Sequence, residues 1–233
     1  MSGTLYGIGV GPGDPDLITL KAHKVLQTVP VIAYPAPEAG DSLARSIAAP
    51  HIPQGRREIV IRMAFDPQSA PECAAYDHAA VDIATILRGG EDVAVLCEGD
   101  PFFYGSFMYL FSRLQEEFTV QIVPGISSLM ACAAASLTPL AARNEVLSIL
   151  PAPMAAENLR RRLQAAEAAA IIKLGRHAAK VHGVLDELNL LDQAKYVAHA
   201  GMPGQVVQSL RHVDLAQVPY FAMILVRKAG MEL

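Results

Sequence analysis

The residues of this chain best suited to chemistry stand in one run, Glu98-Gly99-Asp100-Pro101-Phe102-Phe103-Tyr104-Gly105. The run follows Val93-Ala-Val-Leu-Cys97, an apolar stretch of the kind that forms a buried strand, and open α/β sheets bind ligands beyond the carboxyl ends of their strands. Asp100 suits hydroxyl or ammonium donors, and the three aromatics suit packing against a sulfonium or an extended ring. The same residues also read as helix capping, with Asp100 as N-cap and Pro101 at the first helical position. The two roles are compatible.

Two further turns carry similar features. Gly7-Ile-Gly9-Val-Gly11-Pro12-Gly13-Asp14 departs from the dinucleotide fingerprint, because Pro12 or Asp14 stands at the third glycine of either register. Nor does the next strand end in an acid; it ends in Tyr34-Pro35-Ala36-Pro37. The glycines suit either a backbone that approaches a ligand closely or a tight strand-to-helix turn. Val123-Pro124-Gly125-Ile126-Ser127-Ser128 repeats the strand-turn-helix pattern, with two hydroxyls for a carboxylate, a ribose or simple N-capping. The Lys-Ser/Thr pair of a phosphate-binding loop is missing.

These turns need strands behind them. The alternation of apolar, β-branched runs with helical patterns predicts strands over 5–10, 29–34, 58–61, 93–97 and 120–123, and helices over 19–27, 42–49, 71–88, 104–116 and 127–136. After the breaker Leu137-Thr138-Pro139-Leu140, a second series predicts strands over 146–150, 170–174, 196–200 and 220–226, with helices over 155–166 and 178–188. The alternation implies parallel strands with crossover helices. We read an α/β fold of two α/β domains, residues 1–140 and 141–233.

Composition agrees with a packed core: 233 residues, 52% hydrophobic and 18% charged. Three widely spaced cysteines, Cys73, Cys97 and Cys132, suit buried reduced thiols better than a disulfide framework or a zinc site. A net charge of −4 with dispersed basic residues argues against nucleic acid; Arg160-Arg161-Arg162 reads as a solvated helix face. No apolar stretch approaches the roughly 20 residues of a membrane span, and no secretory signal opens the chain, so a cytoplasmic location is expected.

Taken together, the Gly7 to Thr19 loop, Glu98 to Gly105, Pro124 to Ser128, Lys173-Leu174-Gly175-Arg176 and Tyr220 to Val226 resemble the tetrapyrrole methylase family over nearly the whole chain. Ala33-Tyr34-Pro35-Ala36 and Ile172-Lys173-Leu174-Gly175-Arg176-His177 are similar to its precorrin-2 C20-methylating group, with cobalt-factor II methylation an alternative. The resemblance implies two α/β domains with S-adenosylmethionine held between them, a tetrapyrrole substrate, no metal or covalent enzyme intermediate, and a homodimer. It implies cofactor contacts at Pro12, Glu98, Gly99, Asp100, Phe103, Ser127, Ser128, Leu174, Ala200, Ala222 and Met223. Asp100 and Tyr104 are candidate catalytic groups, and His199 another for proton removal, although Val197-Ala198-His199-Ala200-Gly201 departs from the family's usual Glu-Arg pattern. A polycarboxylate substrate calls for basic residues nearby, with Arg62, Arg143 and Lys173 as candidates.

Overall fold

The computed structural model describes residues 1–63 and 71–228. The chain divides into two compact units, Met1–Ser127 and Ser128–Leu233. In the first, β1 (Leu5–Gly9), β2 (Val31–Pro37), β3 (Arg57–Met63), β4 (Val93–Cys97) and β5 (Val120–Val123) form a parallel sheet in the order β3-β2-β4-β1-β5. The helices are α1 (Leu20–Thr28), α2 (Leu43–Ala48), α3 (Pro71–Arg88) and α4 (Phe107–Leu114).

Both faces of this sheet are buried, which is why β4 is apolar throughout. Its Val93, Val95 and Cys97 pack with Ile83 and Leu87 of α3 and with Phe107 and Leu110 of α4. Its Ala94 and Leu96 pack on the other face with Leu26 of α1 and Ile47 of α2. Gly7 in β1 belongs to this packing, because a Cβ there would lie 2.7 Å from the Phe107 ring. The pairing of β2 with β4 stops at Ala33, two residues before Pro35, which has no N–H to donate.

The second unit holds α5 (Ser128–Ala135), β6 (Leu147–Pro151), α6 (Ala156–Ala165), β7 (Ala168–Ile172), α7 (Ala178–Glu187), β8 (Ala194–Ala198), β9 (Val206–Ser209) and β10 (Ala222–Arg227). Its sheet runs β6-β7-β10-β8-β9. Here the parallel expectation gives way to a mixed sheet: β6 and β7 are parallel, whereas β10 is antiparallel to both β7 and β8, and β9 is antiparallel to β8. The apolar stripes of α6 and α7, including Leu159, Leu163, Val181 and Leu185, close its core.

The division falls after Ser127, ahead of the expected break near 140, because α5 packs against β8 and β10. The helix expected over 104–116 begins only at Phe107, and β9 was not anticipated. Cys97 and Cys132 are buried free thiols, as expected, while the side chain of Cys73 lies outside the described residues. Among the described residues no helix is long and apolar enough to cross a membrane.

Gly183 sits exposed within α7, and nothing within 4 Å would meet an added Cβ. We therefore expect Gly183→Ala to stabilise the fold by about 0.5–1 kcal/mol through helix propensity. Urea denaturation checks this, and an unchanged or lower midpoint would contradict it.

Candidate functional site

Three loops leave the carboxyl ends of β1, β4 and β5, which are neighbours in the first sheet. They are locked by main chain. Val10 N–H donates to the Cys97 carbonyl (3.0 Å), and Gly11 and Gly99 exchange N–H···O bonds of 3.3 and 2.8 Å. A Cβ at Gly125 would lie 1.9 Å from the Gly99 carbonyl oxygen, and one at Gly9 would lie 2.5 Å from the Gly125 nitrogen. Gly9 and Gly125 thus meet Gly99 with no space for a side chain of their own, and Gly99 has a left-handed φ of 66°.

The two acids of the central loop serve different partners. Asp100 accepts from Phe102 N–H through Oδ1 (2.9 Å) and from Gly125 N–H through Oδ2 (3.0 Å), so it turns its own loop and ties it to the loop after β5. This is a turn rather than the helix N-cap considered from sequence, since α4 starts seven residues later. Gly105 permits the return of the chain, because a Cβ there would lie 2.5 Å from the Asp100 carbonyl oxygen. Glu98 accepts from Ala44 N–H in α2 through Oε1 (3.2 Å). Burial pushes its carboxyl above the usual carboxylate range. Pro12 is buried, Phe103 is half-buried against the ring of the exposed Tyr104, and Tyr104 has a left-handed φ of 55°.

In the second unit the candidates gather at one end of the central strands of the sheet. Met223 pairs with Val197 and Ala222 with Ala198, so the start of β10 lies beside the end of β8. His199 N–H donates to the Phe221 carbonyl (2.9 Å) just before buried Ala200. Leu174, wholly buried, follows β7. Leu174, Ala200, Ala222 and Met223 are all buried or nearly so, so what they offer a ligand is mainly main chain.

A family model for tetrapyrrole (corrin/porphyrin) methylases matches residues 4–215. The chain belongs to this family. Among curated relatives of this tetrapyrrole methylase, a precorrin-2 C(20)-methyltransferase from a Sinorhizobium species is 36% identical, with 96% of this chain and 95% of the relative covered. Cobalamin biosynthesis protein CobIJ of Mycobacterium tuberculosis is 42% identical over 95% of this chain, but the chain spans about half (45%) of that protein's length. The same fold occurs in a uroporphyrin-III C-methyl transferase from Thermus thermophilus solved with S-adenosyl homocysteine, at 22% identity, a TM-score of 0.69, and 97% and 92% of the two chains covered.

The methylase thus carries two clusters of the expected residues. Pro12, Glu98, Gly99, Asp100, Phe103 and Ser127 border the three loops of the first unit, while Leu174, Ala200, Ala222 and Met223 share one end of the central strands of the second sheet, and Ser128 opens α5. Arg143 and Lys173 are exposed, at left-handed φ values of 49° and 59°. Sequence reasoning missed the roles of Gly9 and Gly125 as packing partners of Gly99; the recurrence of glycine at or just after the end of three strands, β1, β4 and β5, was the available signal.

Two predictions follow from this geometry. Gly125→Ala should cost about 3 kcal/mol, the upper end of overpacking penalties, because its obstacle is backbone. It should also weaken S-adenosylhomocysteine binding; urea denaturation and calorimetry read the two effects, and wild-type values in both would refute the locked junction. The folded-state pKa of Glu98 is raised, so its ionised form is disfavoured on folding and stability declines as pH rises from the ordinary carboxylate value through the folded one. Glu98→Gln retains the acceptor for Ala44 N–H but does not titrate. Its stability relative to wild type should therefore be greater at about pH 8 than at about pH 4 in urea melts.

Proposed function

We propose that this methylase transfers a methyl group from S-adenosylmethionine to C20 of precorrin-2, giving precorrin-3A in corrin synthesis. The observation that carries the reading is the set of three mutually locked loops at the carboxyl ends of adjacent parallel strands, where open α/β sheets bind ligands. Preference for the metal-free substrate rests on relatives: 36% identity to the Sinorhizobium enzyme, against 28% to a cobalt-precorrin-2 C(20)-methyltransferase from Salmonella typhimurium.

The residues suit the methyl donor. Gly99, Ala200 and Ala222 let main chain come close, Leu174 and Met223 are apolar, and the Glu98 carboxylate has one oxygen committed to Ala44, leaving the other as an acceptor. Pro12, Phe103, Ser127 and Ser128 complete the proposed contacts. When bound, the sulfonium supplies an electrophilic methyl; the C20–CH₃ bond forms as the S–CH₃ bond breaks, the electron pair goes to sulfur, and C20 loses a proton.

The protein's part is mainly orientation, for which well-placed reactants gain up to roughly 7–11 kcal/mol. Asp100 has both oxygens engaged by main chain and so acts through loop position, while Tyr104, exposed beside Phe103, is the side chain we assign to the substrate. The reading also includes a homodimer, as the resemblance implies, and the cytoplasmic location expected from the sequence.

The deciding experiment is anaerobic incubation with S-adenosylmethionine and either metal-free precorrin-2 or cobalt-factor II, followed by mass spectrometry and NMR. One added methyl at C20 of precorrin-2 is expected. Methylation of the cobalt substrate alone, or at another carbon, would overturn the assignment.

A further inference from the structure

A cavity of about 220 Å³ opens in the first unit between α2 and strands β2 and β3, lined by Tyr34, Asp41, Ser42, Arg45 and Arg62. One wall is rigid and electrically satisfied. Arg45 binds Glu58 in a fork, with Nη2–Oε1 at 2.8 Å and Nε–Oε2 at 3.0 Å, and Tyr34 donates to Glu58 Oε2 at 2.5 Å. That pairing lowers the Glu58 pKa and raises that of Arg45, while burial and then Glu58 push Tyr34 up to about 12, so the triad keeps one protonation state at neutral pH.

Arg62 differs. Its Nη1 donates to the Pro37 and Gly40 carbonyls, each at 2.8 Å, which fixes the guanidinium plane. Among the described residues no carboxylate pairs with it, so it lines the cavity as a pre-oriented cation with N–H groups left to donate. A planar fork of this kind matches a carboxylate. The cavity is also coupled to the loops described above, because Ala44 of α2 donates to Glu98.

We propose that this cavity takes one side-chain carboxylate of the tetrapyrrole, received by Arg62, and that the contact fixes which edge of the macrocycle meets the methyl donor. The inference rests on the proposed function. Asp41, exposed at the same cavity, opposes an anion there and provides a test of sign.

The test compares wild type, Arg62→Ala, Arg62→Lys and Asp41→Asn by absorbance titration with metal-free factor II, by calorimetry with S-adenosylhomocysteine, and by position of methylation. Arg62→Ala should weaken tetrapyrrole binding roughly 10- to 100-fold, as for loss of a charged hydrogen bond, with S-adenosylhomocysteine binding unchanged. Arg62→Lys should fall between the two, and Asp41→Asn should tighten tetrapyrrole binding. If wild type methylates the tetrapyrrole while Arg62→Ala and Asp41→Asn bind it as wild type does, the carboxylate site is refuted and the methyl-transfer reading stands. Weakened binding in Asp41→Asn would refute it as well, since that is the response of a cation site. If wild type neither binds nor methylates a tetrapyrrole, the functional reading fails and takes this site with it.

Discussion

Three backbone segments meet at Gly9, Gly99 and Gly125, at distances that exclude even one methyl group on Gly9 or Gly125. The hydrogen bonds across this junction are individually modest, about 0.5–1.5 kcal/mol each. The steric term is harder, because the obstacle to a Cβ is backbone that belongs to a strand or its immediate exit. Any displacement of one loop is therefore transmitted to the others. Loops are ordinarily the adaptable part of an α/β layer; here they inherit the rigidity of the sheet, which is the condition for holding ligand-contacting groups in fixed relation.

The acids at the junction divide the work by environment. Asp100 is spent on main-chain donors from two loops, and an oxygen left without its donor there would forfeit roughly 1–3 kcal/mol. Glu98 is half-buried with a donor from α2, and desolvation pushes its carboxyl up. The first arrangement favours a fixed loop. The second leaves an acceptor with unused capacity. Two neighbouring acids in one motif are thereby separated into a positioning group and a group with capacity for a ligand, with only Gly99 between them.

Much of the layered order was legible in sequence. For α3, β4 and β5, the expected spans 71–88, 93–97 and 120–123 agree with the structure, because each apolar run is bounded by turn-forming or polar residues. Strand direction in the second sheet was not legible: β10 is as apolar as a parallel strand because it is central and covered on both sides. The β9 strand is short and offers only Val206-Val207 as an apolar run, although Met202-Pro203-Gly204-Gln205 before it carries a turn signal. At the site, residue types were readable but pairings were not. The Asp100 contact with Gly125 joins positions 25 apart and depends on β1 separating β4 from β5, which no local pattern encodes.

Backbone strain marks the same regions. Tyr104, Lys173 and His199 hold left-handed φ values of 55°, 59° and 52°, a conformation that disfavours residues with a Cβ by about 1–3 kcal/mol. Glycine relieves such strain and is used two residues after Lys173 and His199, at Gly175 (φ 37°) and Gly201 (φ 75°). The strained positions therefore do not reflect a segment without access to glycine. His199 lines a cavity of about 300 Å³ in the second unit with Tyr196, Gln208 and Asp214. A glycine at that position would remove both the strain and that part of the wall. At His199, then, the left-handed position carries a side chain that furnishes part of a cavity wall, whereas Gly201, two residues on, takes the same backbone region with main chain alone.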